Sequence, residues 1–149
     1  MYFSDNGRDW LGDDSPSCEL NVLDREGSFF GYPFKHAKDL VDPIAELGPH
    51  VAPLGIAFSD TDVVPEKYQN SVFVALHGSW NRTKKSGYTV AFVKLDDDGN
   101  YLYQEDFISG WLSNESAWGR PVSPFIMKDG SMLLSDDKYN VMYKITYKG

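Results

Sequence analysis

The chain has 149 residues, of which 42% are hydrophobic, 24% charged and 15% aromatic, and its formal net charge is −8. That length supports one domain with a real core and is short for two, and the acidity argues against nucleic acid or an anionic membrane surface as partner. No apolar run reaches the length of a membrane span, no secretory signal opens the chain, and Cys18, the single cysteine, leaves no partner for an internal disulfide.

The aromatic share, with 13 Gly and 8 Pro, points to an all-β fold with many turns. Residues 1–5 read as a strand. Asn6-Gly7 then opens a loop rich in Gly and Asp that runs to Cys18 and holds Trp10 and Leu11. Its Asp5, Asp9, Asp13 and Asp14 lack the alternate spacing, the central Gly and the closing Glu of an EF-hand, so the loop reads as a solvated turn rather than a calcium loop. Residues 19–23 read as a second strand and 28–33 as an aromatic turn. Residues 35–46 hold either a short helical turn around 37–41 or, given Pro43 and weak periodicity, a loop.

From Gly48 onward the pattern is regular. Residues 51–58, 71–76, 88–95 and 101–108 have strand composition, and Asp96-Asp97-Asp98-Gly99-Asn100 reads as a solvated hairpin turn, not a metal site. After the 111–118 connection come strands at 121–127, 132–135 and 141–147, with a turn at 128–131. Residues 51–58 overlay on 121–127, 71–74 on 131–134 and 88–93 on 140–145, and Met1-Tyr2-Phe3-Ser4-Asp5 echoes Met132-Leu133-Leu134-Ser135-Asp136. Such an internal repeat of short antiparallel strands is the pattern of β-propeller blades. The register starts at the second strand of one blade, includes one four-stranded blade and stops at the third strand of another. The expected architecture is therefore one partial propeller domain, with 1–47 an incomplete blade plus loops, 48–110 a complete blade and 111–149 an incomplete one. Open sheet edges leave two alternatives: a longer propeller, or closure with a second copy in a homodimer.

Chemistry concentrates at His77-Gly78-Ser79-Trp80-Asn81-Arg82, directly after the strand 71–76. A strand that delivers an imidazole, a hydroxyl, an indole, an amide and a guanidinium from its end suits a binding site on a rigid scaffold. The plainer alternative is a hairpin loop whose Trp packs and whose polar groups bind their own backbone.

Asp5-Asn6-Gly7-Arg8-Asp9-Trp10-Leu11-Gly12-Asp13-Asp14, Glu19-Leu20-Asn21, Phe30-Gly31-Tyr32-Pro33, Gly48-Pro49-His50-Val51-Ala52-Pro53-Leu54-Gly55, His77-Gly78-Ser79-Trp80-Asn81-Arg82 and Trp118-Gly119-Arg120-Pro121-Val122 occur in this order. Together they resemble the C-terminal half of the glucose/sorbosone dehydrogenase family, in its sorbosone-dehydrogenase-like branch. The resemblance implies a six-bladed propeller that binds pyrroloquinoline quinone (PQQ) and calcium at one mouth of its channel. It also implies oxidation of a sugar by hydride transfer to the quinone, in a periplasmic or secreted setting.

The quinone carries three carboxylates, which call for planar cationic donors. By resemblance, Arg82 and Arg120 sit at matching loop positions of two blades and face the cofactor. His50 reaches it from the start of a strand, Lys84 adds charge with Lys85, and Trp80 or Trp118 stacks on its ring system. The alternative pairs both arginines with acidic loops and places the tryptophans in the core. The family's general base is a histidine of the N-terminal half, and none of His36, His50 and His77 stands in its context; His77 is the candidate to replace it. Two functions follow as expectations: part of a quinone-dependent sugar dehydrogenase, or a non-catalytic half-propeller that binds a small sugar or carboxylate or serves assembly.

Overall fold

The computed structural model describes residues 1–31, 41–59 and 62–148. Tyr32, Pro33, His36 and the core of the proposed helical turn lie outside the described residues. The first sheet is antiparallel, in the order β1 (Tyr2–Asp5), β2 (Ser17–Val22), β3 (Ala45–Pro49). The second has four strands, β4 (Pro53–Ser59), β5 (Ser71–Leu76), β6 (Thr89–Leu95) and β7 (Tyr101–Ile108). A short ladder of β8 (Leu112–Ser113) and β9 (Ser116–Ala117) leads to a third sheet of β10 (Pro121–Ile126), β11 (Met132–Asp136) and β12 (Val141–Ile145). Every pairing is antiparallel between consecutive strands. This is the expected all-β partial propeller, with sheets that do not close on themselves.

Two stretches depart from the sequence reading. Residues 45–49, inside and just beyond the stretch read as a helical turn or loop, form β3. Ala45 and Leu47 turn inward and Glu46 outward against β2, so long-range pairing makes a strand where no β-branched residue announces one. The 111–118 connection folds back on itself as β8 and β9, with Asn114 and Glu115 at φ 48° and 59° in its turn.

β5 is buried along its whole length because both faces of its sheet are covered. Successive side chains point to opposite faces. Val72, Val74 and Leu76, with Ala91, Val93 and Leu95 of β6, pack on Cys18, Leu20, Ala45 and Leu47 of the first sheet. Phe73, with Val90 and Phe92, packs on Trp111, Met132 and Leu134 toward the third. Each large side chain so buried contributes about 1.5–3 kcal/mol, and this central sheet is the core. β4 touches β10 and β1 on either side. A Cβ on its Gly55 would lie 2.7 Å from the Ser123 Cα, so the strands meet backbone to backbone there. The alternation of strand directions gathers loops 6–16, 77–88, 118–120 and 137–140 at one end of the sheets.

Candidate functional site

The loop that follows β5 has a tight neck. His77 and Gly78 donate their N–H groups to the carbonyls of Ala52 and Val51 at 3.0 and 2.8 Å. Ser79 N–H donates to the Ser86 carbonyl at 2.9 Å, Ser86 N–H to Ser79 Oγ at 3.1 Å, and the Tyr88 hydroxyl to the Ser79 carbonyl at 2.5 Å. The two legs of the loop are in contact: a Cβ on Gly87 would lie 2.9 Å from Gly78 Cα, and Gly78 itself holds φ 101°. The Ser79 hydroxyl is therefore internal scaffolding. Residues 80–85 project beyond the neck.

His50, Trp80 and Arg82 converge on loop 6–16, across the seam between the first and second sheets. Arg82 donates through Nε to the Asp13 carbonyl, through Nη1 to the Lys84 carbonyl and through Nη2 to the Asp14 carboxylate, each at 2.9 Å. Thr83 N–H donates to both carboxylate oxygens of Asp13 at 3.1 and 3.3 Å. That backbone donor holds the Asp13 carboxyl below its usual range, with the nearby Arg82 charge adding to the effect. His50 is buried and donates from Nε2 to the Gly12 carbonyl at 2.7 Å, while Nδ1 lies 3.4 Å from Asp9. Trp80 meets Trp10 edge to face with ring centroids 5.4 Å apart. The Lys84 side chain points to solvent.

His77, Arg120 and Trp118 converge on the turn after β11, across the seam between the second and third sheets. Arg120 donates through Nε to the His77 carbonyl at 3.0 Å and through Nη2 to the Gly78 carbonyl, and its guanidinium lies 5.3 Å from the centre of the Tyr88 ring. Its Nη1 has no protein partner among the described residues. The His77 Nε2 lies 2.9 Å from the Asp137 carboxylate; a carboxylate accepts, so Nε2 carries the proton and Nδ1 the lone pair.

The turn beneath rests on Asp136, which is buried. Its Oδ1 accepts from Lys138 N–H at 3.0 Å and Tyr139 N–H at 2.8 Å, and its Oδ2 from the Tyr143 hydroxyl at 3.1 Å. Burial pushes the Tyr143 phenol above its ordinary value. A Cβ on Gly119 would lie 2.2 Å from Asp136 Oδ2, so no side chain fits there. Trp118 donates Nε1–H to the Gly110 carbonyl at 2.8 Å and stands half exposed between Trp111 and Tyr139.

The two arginines do not hold matching positions, contrary to the sequence reading. Arg82 lies between β5 and β6, whereas Arg120 precedes β10 as His50 precedes β4. The structural parallel is His50 with Arg120: each reaches back from the start of its sheet to loop carbonyls of the preceding one. Arg82 does pair with an acidic loop; among the described residues, Arg120 pairs with none. Trp80 and Trp118 are not core residues, and the buried indole is Trp111. Asp13 and Asp14, weighed as calcium ligands and read as part of a solvated turn, instead hold Arg82 and Thr83; Asp137 and Tyr88 were not singled out. Arg82 and Asp13 stand 69 positions apart and His77 and Asp137 60 apart, so no local pattern joins them. Among the described residues, no three or more His, Cys, Asp or Glu side chains gather as a metal site.

The profile of a family described as TrAA12-like matches residues 35–146. An uncharacterized protein of Borreliella burgdorferi is 37% identical over 168 aligned positions that cover 99% of this chain and 44% of that protein. Among solved structures, an iodide structure of the Trichoderma reesei carbohydrate-active enzyme of family AA12 superposes with a TM-score of 0.77 at 18% identity, covering 97% of this chain and 49% of the other. The holo form of the pyranose dehydrogenase PQQ domain from Coprinopsis cinerea gives 0.69 at 21% identity over 97% and 49%. The fold is thus that of PQQ-domain propellers, and the chain spans less than half the length of the proteins it matches.

Proposed function

The chain belongs to the TrAA12-like family, and from that premise we propose that it forms part of the cofactor pocket of a PQQ-dependent sugar oxidoreductase. The observation that carries this reading is Arg120. Its guanidinium is fixed by two backbone carbonyls and an aromatic face, and one terminal nitrogen has no protein partner among the described residues. A tricarboxylate quinone needs such a donor, and neutral carbonyl partners leave the full positive charge in place. Lys84 adds a second cation from the neighbouring loop, and Trp118 offers a half-exposed ring face. Arg82 serves as a clamp that holds loop 6–16 in position.

When bound, the quinone supplies a two-electron acceptor for hydride from a sugar carbon bearing a hydroxyl. The chain's own part in the chemistry is proton removal. His77 Nδ1 carries the lone pair that takes a hydroxyl proton, and Asp137 holds the imidazole in that tautomer and stabilises its protonated form. Calcium accompanies the quinone in this reading, without an assigned ligand in this chain. The rest of the ring comes from further blades of a longer chain or from a second copy. A second reading, a sugar- or anion-binding module without turnover, draws on the engagement of Arg82 by Asp13 and Asp14, which takes one of the two motif arginines away from the ligand.

The test is a titration of the protein with PQQ, with and without calcium, following quenching of its four tryptophans, and then dye-linked oxidation of aldoses. Saturable quenching with dye reduction supports the oxidoreductase, and binding without turnover supports the second reading. A flat titration contradicts the cofactor pocket.

A further inference from the structure

We infer that the seam between the second and third sheets, at the end away from the arginine loops, holds a site for a small uncharged aromatic molecule. The connection from β4 to β5 contains a single 3-10 turn, Glu66–Tyr68, which brings Tyr68 against the central sheet. Its ring meets those of Phe73, Phe92 and Phe107 at centroid distances of 6.0, 5.2 and 5.1 Å, and Phe73 meets Phe107 at 4.8 Å. Tyr68, Phe73 and Phe107 form one wall. Ile126, Met132 and Ile145 of the third sheet form the other, and a cavity of about 130 Å³ lies between them. A protein interior packs as densely as an organic crystal and leaves few voids of that size.

The walls are held apart by backbone. Gly130, in the turn between β10 and β11, has φ 78°, and a Cβ there would lie 2.1 Å from the Val63 carbonyl oxygen. That turn and the β4–β5 connection therefore meet main chain to main chain at the rim and act as a spacer. Each is braced within itself. Met127 N–H donates to the Ser131 carbonyl at 2.7 Å and Gly130 N–H to the Met127 carbonyl at 3.0 Å. Tyr68 N–H donates to the Pro65 carbonyl at 2.8 Å, and Gln69 Nε2 to the Val64 carbonyl at 3.2 Å. Lys67, paired with Glu105 at 2.8 Å, sets its ammonium 5.8 and 5.4 Å from the centres of the Tyr68 and Phe92 rings and steadies the aromatic wall. Little ordering is left for a ligand to impose, which favours binding by preorganisation.

The lining selects the ligand. Among the described residues no charged side chain lines the cavity, which offers aromatic rings, aliphatic methyl groups and the Met132 thioether. Tyr147, 70% exposed, stands at its mouth. An ion entering here would lose its hydration without gaining a partner, and the hydroxyls of a sugar would go largely unpaired. An apolar ring gains burial, edge-to-face contacts and a sulfur contact. The size agrees, because an apolar cavity of about 150 Å³ stays dry and takes benzene. The cavity shares no residue with the loops that carry Arg82 and Arg120, so the inference stands apart from the quinone reading.

The experiment titrates the full chain with toluene, and with benzoate as a charged counterpart of similar size. The methyl signals of Ile126, Met132 and Ile145 are followed by two-dimensional NMR. The expected result is a saturable shift of these signals with toluene, a toluene-dependent rise in Tm, and binding of benzoate weaker by about tenfold or more. Ile126→Phe and Ile145→Phe, confirmed as folded by circular dichroism, fill the cavity and should each weaken toluene binding by about tenfold or more. The absence of a saturable methyl shift with toluene in the unaltered chain overturns the site. Benzoate binding as tight as that of toluene also overturns it, as does unchanged toluene affinity in both filled variants. If neither variant folds, the titration of the unaltered chain decides alone.

Discussion

The two seams between sheets bring the same kinds of residue together and hold them differently. At the first seam, Arg82 meets the Asp14 carboxylate and two carbonyls, and a neighbouring backbone donor binds Asp13. At the second, among the described residues, Arg120 meets carbonyls and the face of Tyr88 and no carboxylate, and the Asp137 carboxylate pairs with His77. A cation beside carboxylates is neutralised and acts as scaffold. A cation on carbonyls keeps its charge for an incoming anion. In an acidic chain that difference, more than the presence of an arginine, decides where a carboxylate-bearing cofactor can bind.

The sharpest way to break the second seam is Asp136→Ala. It removes the acceptor of two backbone N–H groups and the Tyr143 hydroxyl in a buried setting, and the expected loss is about 3 kcal/mol or more in denaturant unfolding. Arg82→Ala at the first seam should cost about 1 kcal/mol, because its carboxylate partner is largely exposed and water replaces much of the interaction. An equal loss in the two variants would contradict the view that the second seam is built on a buried network and the first on a surface clamp.

Much of the fold was legible in sequence. β5 and β6 carry β-branched and aromatic residues without interruption, and burial on both faces requires that composition. β3 was not legible, because Ala45-Glu46-Leu47-Gly48-Pro49 has no strand-forming composition and takes its shape from β2. His77, Arg82 and Arg120 stood out through their chemistry. Asp13, Asp14 and Asp137 did not, because an aspartate in a polar loop looks solvated until a distant cation is brought to it. Trp10 was visible only as an aromatic in a turn; its pairing with Trp80 depends on two loops from different sheets.

Two smaller effects sharpen the comparison. If quinone-dependent turnover is measured, Asp137→Asn should lower kcat about tenfold and leave quinone affinity unchanged, since Asp137 acts through His77. Unchanged turnover at all pH values would remove Asp137 from the positioning of His77. At the first seam the carboxyl of Asp13 titrates below its usual 3.8 in the fold. Its contribution is therefore present above the ordinary carboxylate range and is lost as pH falls through the lower folded value. The Trp10 and Trp80 indole NMR signals should move together only as the pH falls through that lowered value. Asp13→Asn should abolish that acid transition, and a persisting transition would assign it to another group.

The most direct test of the account is quinone affinity in Arg120→Ala and Arg82→Ala, both first shown to be folded. Loss of a charged hydrogen bond of about 1.5–3 kcal/mol predicts roughly 10- to 100-fold weaker PQQ binding for Arg120→Ala. For Arg82→Ala the change should stay within about threefold, as expected for a residue that acts only through a surface clamp. The reverse order, with Arg82→Ala the damaging change and Arg120→Ala silent, would contradict the account. It would mean that the acidic loop gives up its arginine to the cofactor and that the second seam is scaffold alone.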